Sequence, residues 1–180
     1  MARLPLPGAA ELPQRSQDFI DANLPFALNL HLLLGQAPHL LEPVHHLTRA
    51  VMFDQTLDNR LRELVILRVA TLARAPYEWA QHETIARGAG VRPEEVAALA
   101  TNGLSGFPPR ERAALDVAEW VVTGREVTDD DMAALREHFG TTEILELHIT
   151  AGTYLMLARM MTATGLDIDM NGEALSASFN

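Results

Sequence analysis

Between Glu63 and His82 the chain reads ELVILRVATLARAPYEWAQH, and Glu63, Tyr77, Glu78 and His82 are side chains of the kinds that hold or move protons. Glu78 and His82 are four apart, so on a helix a carboxylate and an imidazole share one face, in line with Ile85 and Ala89. A nearby anion keeps an imidazole protonated, and such a pair can deliver a proton to a developing carbanion. His82 is then the acid, with Glu78 as its orienter or a second acid or base. The bland alternative is a core histidine bonded to a carbonyl. Glu63 lies in a stretch that is apolar almost all round (Leu61, Leu64, Val65, Ile66, Leu67, Val69, Leu72), where a lone charge is costly. It is either a catalytic acid or base, or polar support for the site, or simply an ion-pair partner for Arg60, three residues earlier. Tyr77 and Trp79 either wall a substrate pocket or simply bury their rings and satisfy their polar tips. His148, in line with Ile144, Ala151 and Leu155, faces the interior and reads first as a core histidine, with substrate contact as its functional alternative. Tyr154 is read in the same way.

Those residues need helices to hold them. The apolar stretch predicts a helix over 58–74, and Pro76, suited to a first helical position, opens the next over 76–89. A Gly at 88 or 90 supplies the stop. The last long helix, 142–164, is again apolar nearly all round, with Gly152 allowing close backbone approach and Met156, Met160 and Met161 filling gaps. Shorter helices are expected from Ser16 to a break near Pro25, from Phe26 to Leu34, from His39 to Met52, from Glu94 to Ala100 and from Arg110 to Thr123. Thr128 with Asp131 three residues later reads as a capping box for a helix ending at Gly140. His45 and His46 are adjacent, hence about 100° apart on a helix, and at least one of them is expected in solvent. No stretch has a trustworthy strand period, so the domain is all-α, a single-domain helical bundle. Residues 1–15 read as a partly ordered arm with Leu4 and Leu6 to bury, 16–170 as the domain, and 171–180 as a tail.

At Glu63, Glu78 and His82 the chain resembles the carboxymuconolactone decarboxylase/alkylhydroperoxidase D superfamily, over about residues 40 to 165. The peroxidase branch of that superfamily carries a Glu, then Cys-x-x-Cys, then a His four residues on. Aligned through Glu63 and His82, the two sulfur positions fall on Ala75 and Glu78. The decarboxylase branch carries Glu-x-x-x-His on the same helix, matched by Glu78 and His82, and the wording YEWAQH is similar to a decarboxylase-like subgroup. The resemblance implies a lyase that removes CO2 from a small carboxylated lactone or related enolisable acid. No cofactor is implied, because the lactone carbonyl takes up the electrons, and no metal, although Glu63, Glu78 and His82 together are a donor set that can hold a divalent ion. The same groups would serve isomerisation or lactone opening. A member that has lost its thiols and serves as a binding or assembly protein is the non-catalytic alternative.

Bulk composition narrows the rest. A chain of 180 residues is one domain by length and can bury a real core. A net charge of −10 disfavours nucleic acid or an anionic membrane as partner. There are zero cysteines, which removes disulfides, thiolate nucleophiles and zinc–thiolate sites. With no signal-like opening and no apolar run of spanning length, a cytoplasmic protein with a small-molecule substrate is expected. Two helices apolar on most faces are hard to cover in a chain this size, which predicts a homo-oligomer. The resemblance makes it a homotrimer or homohexamer with sites near subunit contacts.

Overall fold

The computed structural model describes residues 2–25, 27–101 and 103–169. Among them there are nine α-helices and no strand: α1 Gln14–Asn23, α2 Asn29–Gly35, α3 Pro38–Phe53, α4 Asn59–Ala73, α5 Pro76–Gly88, α6 Pro93–Ala100, α7 Pro109–Thr123, α8 Asp129–Arg136 and α9 Thr141–Thr164. The all-α architecture expected from the sequence is the one observed.

Helix α4 is the axis. It packs against α5, α7 and α9, and Leu64, Val65, Ile66, Leu67 and Val69 along it have no exposed surface. Burial round most of the cylinder is what its nearly continuous apolar sequence requires. Its start is fixed by Asp58, whose side chain accepts the Leu61 N–H at 2.8 Å. Its end is Arg74, a non-glycine residue in the left-handed region at φ 54°. The chain then has two residues in which to turn, and Pro76 starts α5 at once. This tight α4–α5 hairpin sets Glu63 on one helix against His82 on the other.

Helix α9 lies across α4 and α7, burying Leu147, Ala151, Tyr154, Leu157, Ala158 and Met161. Its other side is exposed at Leu145 (62%), Ile149 (53%) and Met156 (46%). A Cβ on Gly152 would meet nothing within 4 Å, so this glycine opens that outer face rather than admitting a close neighbour within the subunit. The capping box at Thr128 is present, with the Asp131 N–H donating to Thr128 Oγ1 at 3.2 Å and the Thr128 N–H donating to Asp131 Oδ2 at 2.9 Å.

The N-terminal segment differs in detail from expectation. Leu4 is exposed and Leu6 half-buried; Leu12 is the residue that buries, joining Ile20, Leu34 and Leu41 in a second apolar cluster. The arm is held on its own chain, where the Arg3 guanidinium donates to the Thr162 and Ala163 carbonyls at 3.1 and 2.9 Å, at the end of α9. Helix α1 begins at Gln14, and α2 begins at Asn29 after an extended Leu28. The tail expected over 171–180 and the helix start expected at Phe26 lie outside the described residues. No helix among the described residues is long and apolar enough to cross a membrane.

Candidate active site

Helices α2, α3, α5 and α9, with the α1–α2 connection, enclose a cavity of about 360 Å³. Its walls are largely apolar, from Leu24, Leu28, Leu30, Met52, Phe53, Ile85, Leu157 and Met161. Apart from Asn23 and Tyr154, the polar groups fall in two places. Helix α5 supplies Tyr77, Glu78, Gln81 and His82 on one wall, and α2 and α3 supply His31, His45, Thr48 and Arg49. An apolar cavity with few convergent polar groups is the usual form of a small-molecule site.

The expected partnership of His82 with Glu78 is not what forms. His82 Nδ1 lies 2.8 Å from Glu63 Oε2, across the hairpin. Glu63 has no exposed surface, and its other oxygen accepts the Arg62 Nε–H at 2.9 Å. Nor does Glu63 pair with Arg60, which faces Glu95 and Glu111 instead. A carboxylate gripped by a guanidinium only accepts, so the proton in the Glu63–His82 bond belongs to Nδ1. That assigns the tautomer and leaves Nε2 as the ring nitrogen free for the cavity. Arg62 is itself held through Nη1 by the Met52 carbonyl and, at 2.8 Å, by Asn59 Oδ1. Tyr154 packs edge-on against the imidazole, ring centroids 4.8 Å apart, with its hydroxyl donating to the Met52 sulfur at 3.0 Å. Burial first, then the neighbouring Glu63 and Glu78 carboxyls, pushes the Tyr154 phenol well up, so it stays a neutral wall.

Glu78 is one turn nearer the start of α5 and only 2% exposed, and neither carboxyl oxygen has a partner among the described residues. A first-turn position favours the carboxylate through the helix dipole. Desolvation opposes this and wins, pushing the Glu78 carboxyl well above its ordinary range and favouring the acid form. Glu63 and Glu78 thus differ in kind: one is paired on both oxygens, with a guanidinium and an imidazole, and the other is a buried carboxyl open to the cavity.

Tyr77 and Gln81 are organised by a residue that no local signal announces. Tyr77 donates its hydroxyl proton to Asp169 Oδ2, and Gln81 Nε2 donates to the same oxygen at 3.3 Å. Asp169 Oδ1 accepts the Asn29 N–H at 2.8 Å, and the Tyr77 oxygen accepts the Leu30 N–H at 3.4 Å. Burial first, then Asp169, drives the Tyr77 phenol far up, away from ionisation. Trp79 stays outside the cavity: it packs on the main core and donates its indole N–H to Glu83 Oε2 at 3.2 Å. Standing about 100° round α5 from Glu78, it faces another direction. His148 is also elsewhere, its Nδ1 donating to the Ile144 carbonyl at 2.7 Å within α9, the structural role anticipated for it. Of the expected substrate contacts, Tyr77 and Tyr154 line the cavity and Trp79 and His148 do not.

At the α2–α3 side, His46 is exposed and His45 half-buried, their rings 5.9 Å apart. Burial, then His45, lowers His31 to about 4, and its Nδ1 accepts the Leu28 N–H at 3.1 Å. His45 is lowered by burial and then by His46 and Arg49. Both rings are therefore biased to neutrality, which makes Arg49 the permanent cation among the lining residues. No group of three or more His, Asp or Glu among the described residues is placed to hold a metal ion.

Residues 38–120 match the model of the carboxymuconolactone decarboxylase family. The fold is that of a peroxidase-related protein from Ralstonia eutropha JMP134 with an alkylhydroperoxidase core, at TM-score 0.82 and 26% identity over 95% of this chain and 94% of that one. A peroxidase-related protein from Silicibacter sp. TM1040 superposes at 0.81, with 21% identity over 94% and 93% of the two chains. The debrominase Bmp8, solved with 2,3,4-tribromopyrrole, superposes at 0.72 with 19% identity, covering 99% of this chain and 96% of its own. No curated protein matches the chain. The chain is thus similar to the carboxymuconolactone decarboxylase family over residues 38–120, shares its fold with an alkylhydroperoxidase core, and has no cysteine.

Proposed function

We propose that the protein is a cofactor-independent lyase of the decarboxylase kind, acting on a small carboxylated lactone or related enolisable acid. The observation that carries this reading is the division of labour on α5. A buried carboxyl biased to its acid form and an imidazole with an assigned free Nε2 face one apolar cavity, one helical turn apart. In the reaction the bond from the ring carbon to the carboxylate breaks, CO2 departs and the electron pair moves into the substrate carbonyl as an enolate. The Glu78 O–H then gives its proton to that carbon. Glu78, left as a carboxylate, recovers a proton from solvent by way of His82 Nε2. Desolvation keeps the proton on Glu78 until the more basic enolate carbon forms, and it drives the second transfer, since the ionised form is the one the cavity disfavours. The apolar belt strips water from the leaving carboxylate, and Arg49 attracts the anionic substrate to the mouth.

This replaces the expected His82 acid and Glu78 orienter: Glu63 orients and Glu78 donates. A purely structural role for the site fits less well. The cavity is open, and His82 bonds to a side chain rather than to backbone carbonyls. The test is a screen of carboxylated lactones and enolisable acids for CO2 release, followed by His82→Ala on any hit. A drop of about 10²-fold or more with an unchanged helical spectrum is expected; an unaltered rate would show the assignment to be wrong.

The same proposal includes assembly as a homotrimer or homohexamer. Leu145, Ile149, Gly152 and Met156 fall at spacings of four, three and four on the exposed side of α9, a seam suited to a facing helix. Sedimentation at micromolar concentration should give a multiple of three subunits, and a compact monomer would remove this part.

A further inference from the structure

Three buried polar atoms face the cavity wall with no partner among the described residues: both oxygens of Glu78 and Oε1 of Gln81. Gln81 is 4% exposed, so its carbonyl oxygen is a costly orphan. The orientation of its amide is determined. Asp169 Oδ2 already accepts the Tyr77 hydroxyl proton and can only accept again, so the end of Gln81 turned to it is the –NH2. The end left over is an acceptor. Glu78, three residues earlier and therefore a neighbour on the same face of α5, is biased to its acid form and offers a donor.

We infer that Gln81 is a specificity-determining residue that reads a hydrogen-bond donor on the substrate, adjacent to the carbonyl that Glu78 approaches, and that Asp169 positions it. The ligand chemistry is a carbonyl with an N–H or enolic O–H beside it, as in a cyclic amide or a hydroxylated unsaturated lactone, carrying an anionic group. Such a ligand meets two of the three orphans at once: its carbonyl accepts from the Glu78 O–H, and its donor meets Gln81 Oε1. A plain lactone presents a ring oxygen to Gln81 Oε1, acceptor against acceptor, and leaves the buried oxygen unpaired. This inference rests on the reading of the cavity as the site for a small carboxylated ring, and it adds which rings the cavity prefers.

The test uses two saturated probes that do not turn over: butyrolactone carboxylate, and the pyrrolidinone carboxylate in which N–H replaces the ring oxygen. Binding to the full chain is followed by calorimetry or by chemical-shift titration. The wild type should prefer the pyrrolidinone by about tenfold or more, the usual consequence of pairing rather than stranding a buried acceptor. Gln81→Met, close in shape and without the acceptor, should erase the preference while leaving lactone affinity within about threefold. Asp169→Asn frees the amide to turn its –NH2 inward, and should lower or invert the preference even if Gln81→Met fails to fold. Equal binding of the two probes to the wild type, or a preference that survives Gln81→Met, overturns the inference. If that occurs while His82-dependent CO2 release is found, the proposed function stands without it. If neither probe binds at millimolar concentration, the carboxylated-ring reading falls along with the inference.

Discussion

Arg60 and Arg62 lie two residues apart on α4 and meet acids on opposite sides of the helix. Arg60 sits between Glu95 and Glu111, with contacts of 2.8 Å to Glu95 Oε1 and 3.0 Å to Glu111 Oε1, and its Nη1 reaches the Gly90 carbonyl at 2.7 Å. Hydrogen bonding to Arg60 is the main cause that holds the Glu95 carboxyl below its ordinary range. This cluster ties α4 to the starts of α6 and α7 and lines no part of the cavity described above. Arg62 is paired as fully, yet its acid passes the interaction on to His82, whose other nitrogen is free beside the orphaned atoms of Glu78 and Gln81. Pairing alone does not mark a site, since both clusters are paired. The difference is whether the chain of bonds ends on protein or on a buried group that still lacks a partner.

Three substitutions sharpen that contrast. Glu63→Gln is expected to have the largest effect, because it strands a guanidinium that is 4% exposed and loosens the imidazole together. A loss of about 3–5 kcal/mol in urea unfolding is expected, with a fall in any His82-dependent activity. A variant of wild-type stability would show that the Arg62–Glu63 pair does not hold the hairpin. Arg60→Met comes next, leaving the Glu95 and Glu111 carboxylates facing each other without their shared cation. It should lower stability by about 1–3 kcal/mol while activity per folded molecule stays unchanged. Altered turnover there would erase the distinction between the two clusters.

The smallest effect is expected from Glu78→Gln, read as a pH dependence. Burial raises the Glu78 carboxyl above its ordinary 4.5, so folding holds its proton more tightly than the unfolded chain does. Its contribution to stability is complete below about 4.5 and declines as pH rises through the raised folded value. The variant has no such group, and its stability should fall less across that window in parallel urea titrations. Parallel pH curves for the two proteins would mean that Glu78 is not the buried acid described here.

The helices were legible because their signals are local. Pro76 and the apolar coverage placed α4 and α5 within a residue or two at each end, and α9 likewise. Helix α2 begins at Asn29, and nothing local in the sequence marks Leu28 as the extended residue before it. The site was legible as a set of residue types but not as a set of bonds. Spacing along α5 pointed from His82 to Glu78, whereas the bond that forms crosses the hairpin to Glu63. Arg62 carried a usable signal, a second charge beside Glu63 in an apolar helix. Gln81 carried a weaker one, three residues from Glu78. Asp169 carried none, because its contacts span 88 to 140 positions of the chain. Trp79 and His148 were drawn in by residue type, and only the packing of α5 and α9 turns them elsewhere.

The break between α4 and α5 has a practical consequence. Ala75 and Glu78 stand where the peroxidase-type relatives of this fold are expected to carry sulfur, and no cysteine occurs anywhere in the chain. Iodoacetamide and maleimides have no thiol here to alkylate, and neither oxidised glutathione nor mild peroxide can cap or cross-link this wall of the cavity. Whatever the cavity does should therefore run alike with and without a thiol reductant. An activity abolished by a thiol-specific reagent would have to belong to some other protein in the preparation.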